Sequence, residues 1–118
     1  MRFEARELPN YVEHVAVDEL RIGDVYFVAS FLDDEMLVPE LKPVVFVGRN
    51  LEPGDTGSLY FQDLLSHQNG VRYDAPRPGD EARFDSFLEE QSSGVYEYER
   101  ALDVLLLCSL RRQKAQSR

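Results

Sequence analysis

The chain has 118 residues, 43% apolar and 30% charged, with one cysteine, two histidines and a formal net charge of −9. A chain of that length buries about two-thirds of its unfolded surface around one core, so a single domain over 1–118 is expected. A lone cysteine excludes an intramolecular disulfide or a multi-cysteine zinc site, and the acid excess disfavours nucleic acid, whose recognition rests on Lys and Arg neutralising phosphates.

The charge is uneven. Residues 1–110 carry nine basic against 22 acidic side chains, while residues 111–118 form a basic tail with four cations and no acid. The acidic body suits a basic protein partner or keeps the chain in solution. A single Cys108 fits a reducing compartment. The opening MRFEARELPNY interleaves charges where a signal peptide needs an apolar stretch, and the longest apolar runs fall far short of the roughly 20 residues that span a bilayer. Arg2 and the ending Gln116-Ser117-Arg118 provide no lipidation motif. A cytoplasmic location without membrane attachment is expected.

Residues 1–10 read as a lead-in closed by the turn pair Pro9-Asn10, after which Val12, Val15 and Val17 favour extended structure. A turn ends at Gly23-Asp24. Val25–Leu32 is β-branched, aromatic and bounded by turn residues, which predicts a strand. Asp33–Lys42 (DDEMLVPELK) reads as a ten-residue loop leading to a second strand, Pro43–Val47, that ends at Gly48. Leu51–Gly57 is a turn, Ser58–Leu65 a third strand, and Asn69-Gly70 a hairpin signal returning into a short strand at Val71–Tyr73. Ala75–Gly79 is a stiff connector, and Asp80 is placed to cap a helix over 81–90. Beyond the break at 91–94, Val95, Tyr98, Ala101, Leu102, Leu105, Leu106 and Leu110 recur at helical spacing. They predict a helix over Val95–Arg112 that buries Leu102, Leu105, Leu106 and Leu110, with Arg111, Arg112 and Lys114 complementing its dipole. Strands first and a helix last imply an α+β fold, with four to five strands in a small curved antiparallel sheet or an SH3-like barrel and a packed C-terminal helix.

The residues with catalytic potential are sparse. Asp63, Ser66 and His67 contain the residue types of a nucleophilic triad, but neighbours on a strand point to opposite faces and no nucleophile-elbow motif surrounds them. Cys108 closes an apolar run, where burial makes a thiol inert. His14 and His67 lie 53 positions apart, and Asp33-Asp34-Glu35 lacks the alternation of a calcium loop. Asp103 is read as facing water from an otherwise apolar helical stretch. No glycine-rich phosphate loop occurs, so no catalytic residue, metal ligand or cofactor is assigned. The candidate site is partner-binding: Asp33, Asp34 and Glu35 would speed encounter with a basic surface, and Met36, Leu37 and Val38 would provide apolar anchors. The competing role for this loop is that Met36 to Val38 close one end of the barrel. A protein-binding or adaptor module acting on a basic partner is favoured over a small hydrolase or isomerase using carboxylates around His67.

Overall fold

The β-branched and aromatic stretches pair into one antiparallel sheet in the computed structural model, which describes residues 12–116. The lead-in over 1–10 and the last two residues of the basic tail lie outside the described residues. Strands β1 (Val25–Phe31), β2 (Pro39–Arg49) and β3 (Ser58–Asp63) follow one another, and a short helix α1 (Leu64–Gln68) precedes β4 (Phe84–Leu88). Two residues of β5 (Val95–Tyr96) then lead into the long helix α2 (Tyr98–Gln116). The spatial order is β4-β3-β2-β1-β5, with every neighbouring pair antiparallel.

The fold is thus α+β, with five strands and a C-terminal helix, but the sheet is not closed. No ladder joins β4 to β5, because Glu89–Gly94 between them adopts a 3-10 turn. Such a turn bonds its own backbone locally instead of across a seam. Among the described residues the sheet therefore stays open between β4 and β5.

Several local expectations are overturned for identifiable reasons. The ten-residue loop is shorter: Leu32 donates its N–H to Val38 O at 3.0 Å, and Pro39–Lys42 already belongs to β2, opposite Val28–Phe31. Proline is tolerated there as the first residue of a strand, where no ladder donor is required of it. Ser58–Leu65 stops as a strand at Asp63, and the Asn69-Gly70 pair ends α1 instead of turning a hairpin. Gly70 has φ 87° and donates to His67 O, while Val71 donates to Ser66 O, so the last helical carbonyls are satisfied by a glycine cap. Val71–Tyr73 forms no strand.

The helix expected over 81–90 is instead β4. Its residues pair with β3 from Gln62 opposite Phe84 to Ser58 opposite Leu88. Phe87 packs on Phe61 at 5.8 Å and Phe84 on Tyr73 at 5.3 Å, so tertiary pairing and aromatic burial outweigh a modest helical preference. Asp80 caps no helix; its carboxylate accepts the N–H of Arg77 at 2.8 Å within the preceding turn.

The main core lies on one face of the sheet. Tyr26, Val44, Phe46, Leu59, Phe61 and Val95 contribute from the strands, and Val15 and Leu20 cover them from the N-terminal segment. A second, smaller cluster forms under α2, where Val104 and Cys108 meet Val12, Ala29 and Tyr96. The helix begins at Tyr98 rather than Val95 and docks through Ala101, Val104 and Cys108. Leu102, Leu105 and Leu110 are exposed and Leu106 is half-buried, which reverses the expected face. Small side chains at 101 and 108 permit the closer approach to the sheet, whereas the leucines lie on the other side of the helix. Asp103, expected in water, is only 1% exposed and accepts from the Arg100 guanidinium at 3.4 Å. Among the described residues, no helix is long and apolar enough to cross a membrane.

Tyr60 on β3 illustrates how the sheet holds its loops. Its hydroxyl donates to the Asp55 carboxylate in the β2–β3 connection. That bond, helped by burial and by Glu52, pushes its pKa up to about 12. Because the folded value lies above the unfolded one of 10.0, the contribution of Tyr60 is complete below pH 10 and disappears as pH rises toward 12. Alkaline ultraviolet titration should therefore show a late-ionising tyrosine that is absent in Tyr60→Phe. A parent titration identical to that of Tyr60→Phe after scaling would exclude this bond in solution.

Candidate functional site

The turn between β1 and β2 is built around Asp33. Its carboxylate accepts the N–H of Leu37 at 3.1 Å and that of Val38 at 2.8 Å, so the side chain takes the place of a backbone turn. Met36 N–H donates to Asp33 O at 3.2 Å, which holds Met36 at φ 59°, in the left-handed region. A bulky residue pays about 1 to 2 kcal/mol for that conformation. Met36 is nonetheless 43% exposed, and a second element holds it: Arg111 of α2, 75 positions away, approaches Met36 O at 3.4 Å.

Beside this turn lies an apolar hollow of about 240 Å³. Val12, Phe31, Met36, Tyr96, Val104 and Leu107 form its walls, and Arg111 contributes a cation. Leu32 and Val38 are exposed next to it. Asp34, Glu35 and Glu40 are exposed on the same turn and the strand leaving it. The five residues named from sequence thus divide in function. Asp33 and half-buried Leu37 organise the turn, while Asp34, Glu35 and Met36 present side chains to solvent. Sequence reading missed the groove, whose walls come from β1, β5 and α2. No local pattern joins residues 36 and 111; the docking of α2 does.

The Asp63, Ser66, His67 group is structural at its centre. Asp63 caps α1 by accepting the N–H of Ser66 at 3.0 Å and its hydroxyl at 2.6 Å, and also accepts the N–H of Arg83 at 2.7 Å. Ser66 is buried and receives a further bond from Gln62 Nε2 at 2.9 Å. Its hydroxyl is consumed by these partners, so it is not presented to a base. Burial raises the Asp63 carboxyl, but the bonds from Ser66 and Arg83 outweigh it and hold the group below its ordinary value. His67 faces another hollow of about 270 Å³ with Phe46, Leu51, Arg72, Tyr73 and Asp74. Partial burial, then the Arg72 charge, lower its pKa and favour the neutral imidazole. Cys108 is buried, which pushes its thiol up despite nearby Arg111.

His14 lies in a polar recess near Glu19, Glu97 and Arg100. Among the described residues, no three His, Cys, Asp or Glu side chains gather into a metal-binding group.

Fold and surface together define a class: an α+β domain with an acidic turn set over an apolar groove. Compared with known proteins, the chain matches no family model, no curated protein and no solved structure.

Proposed function

We propose that the protein is a cytoplasmic binding or adaptor module that takes a basic protein segment at the β1–β2 turn and the adjoining groove. The observation that carries this reading is Met36, kept in a costly left-handed conformation and still half-exposed at the mouth of an apolar hollow. Strain of this kind persists where the surroundings over-determine it, and it concentrates at recognition sites. An apolar side chain of the partner would enter beside Met36 and Leu107, while its cations meet Asp34, Glu35 and Glu40. In the same reading the fold is a small SH3-like barrel with one unsealed seam, spanned by the turn at 89–94.

The test uses a synthetic peptide with a central leucine flanked by lysines and arginines, followed by fluorescence anisotropy. Asp34→Lys with Glu35→Lys should weaken binding at least about tenfold at low salt while moving stability by less than about 0.5 kcal/mol. Met36→Gly removes the anchor and relaxes the positive φ, so it should weaken binding without loss of fold. Peptide affinity unchanged in both variants would remove this surface from the function.

A second reading rests on the hollow beside His67. A neutral imidazole with Asp74 on the same wall could serve a small hydrolase or isomerase as general base. Turnover of any ester or carbonyl substrate that is lost in His67→Ala with the fold intact would favour it over the binding module.

A further inference from the structure

The face of α2 opposite the docked one carries exposed apolar side chains. Leu102 is 48% exposed, with Leu105 and Leu110 similarly open, on a helix whose Ala101, Val104 and Cys108 are buried and whose first residue, Tyr98, packs edge-on against Phe27 of β1 at 4.9 Å. Three leucines on one solvent-facing helix surface are costly to leave wet, and isolated exposed leucines would not be grouped in this way.

Charge along that face is divided between its ends. Glu99 lies in the first turn and Arg112 in the last turns, about 20 Å apart at 1.5 Å per residue. We propose that two copies of this chain associate through α2, packed antiparallel about a two-fold axis near Leu105 and Leu106. Residues at equal distances from that axis then meet: Glu99 of each copy opposes Arg112 of the other, Leu102 opposes Ser109, and Leu105 opposes Leu106. A parallel arrangement would set Glu99 on Glu99 and Arg112 on Arg112, so the charge pattern itself selects the antiparallel one. Antiparallel helices also place each positive end beside the other's negative end. The contact is isologous, as a two-fold dimer requires.

Two helices of 19 residues, each about 28 Å long, offer a contact at the small end of stable interfaces. The dimer is accordingly a weak, concentration-dependent one. Leu107 and Arg111 lie on the other side of α2 at the groove described above, so self-association leaves that groove open and the two surfaces are independent.

Sedimentation equilibrium over a concentration series reads the association of the 13.6 kDa chain. The parent should approach twice the monomer mass. Leu105→Asp should weaken association more than about tenfold, because it buries a charge at the centre of the contact. Glu99→Arg alone and Arg112→Glu alone should each weaken it by about fivefold to tenfold, since each creates two like-charge pairs per dimer. The two single variants mixed together restore both opposite-charge pairs and should associate like the parent. All sites are exposed, so circular dichroism should report the parental fold for each variant. A parent that stays monomeric throughout, or a dimer indifferent to Leu105→Asp and to charge reversal, overturns the proposal.

Discussion

Phe61→Ala is expected to lower the unfolding free energy by about 3 to 5 kcal/mol. Phe61 sits on β3 between β2 and β4 and is 0% exposed. Its ring lies 5.4 Å from Phe46 on one side and 5.8 Å from Phe87 on the other. Removing it leaves a cavity walled by rigid rings on neighbouring strands, which cannot collapse inward without breaking ladder bonds on both sides. Small domains of this size have about 5 to 15 kcal/mol in hand, so the variant should be marginal at elevated temperature. Urea unfolding would read the change as a lower midpoint with an unchanged slope. Phe61→Leu, which keeps most of the volume, should lose less than about 1.5 kcal/mol. A loss of under about 1 kcal/mol in Phe61→Ala would mean that the inner face does not pack around this ring.

Asp63→Ala should cost about 2 to 3 kcal/mol, because one carboxylate serves three donors. It caps α1 through Ser66 N, receives the Ser66 hydroxyl, and accepts Arg83 N where the chain enters β4. Loss of a cap contributes about 1 kcal/mol, and stranded polar partners add a comparable amount. Asp63 is also an acid sensor. Its folded pKa lies below the ordinary 3.8 despite the opposing effect of burial, because Ser66 and Arg83 bond the charged form. Its contribution is therefore present above the unfolded value and is lost as pH falls through the folded one. Asp63→Asn can still accept from the helix but carries no charge, so stability should fall less steeply on acidification than in the parent. Asp85 retains part of the slope, since Lys42 and Arg83 likewise outweigh its burial and lower its pKa. Denaturant titrations at a series of acidic pH values would read both effects, and an unchanged slope in Asp63→Asn would show that the capping bonds do not form in solution.

The two carboxylates of greatest interest, Asp33 and Asp63, show why composition misleads about sites. Asp33 heads an acidic run and looks like a free charge for a partner, yet its oxygens are taken by Leu37 and Val38 N–H groups. Asp63 lies beside Ser66 and His67 and suggests a triad, yet it is a helix cap. The donors that claim Asp33 lie within five residues and Ser66 lies three from Asp63, where the local dihedral path makes them converge, while Arg83 reaches Asp63 from 20 positions away through the pairing of β4 with β3. The signal that could have been read is Asp63-x-x-Ser66 ahead of a short helix, a capping spacing that an apparent continuation of β3 concealed.

By itself, the sequence determined the elements whose pattern depends on near neighbours. The β-branched and aromatic runs at 25–31 and 43–47 became strands, Ser58 began the third, and the helical recurrence after Val95 became α2. It also determined the broad class, since strands followed by one long helix leave few ways to bury both. Tertiary structure alone decided the rest. The aromatic pairs at Phe84 and Phe87 turned an expected helix into an edge strand, because an open β3 edge offers more than a weak helical preference. The docking phase of α2 was decided by where Ala101 and Cys108 allow close approach, which periodicity does not rank against leucine. The groove beneath Met36 exists only because that phase brings Arg111 to a turn 75 residues earlier. Contacts of that span depend on the geometry of packed faces, to which a local pattern along the chain is blind.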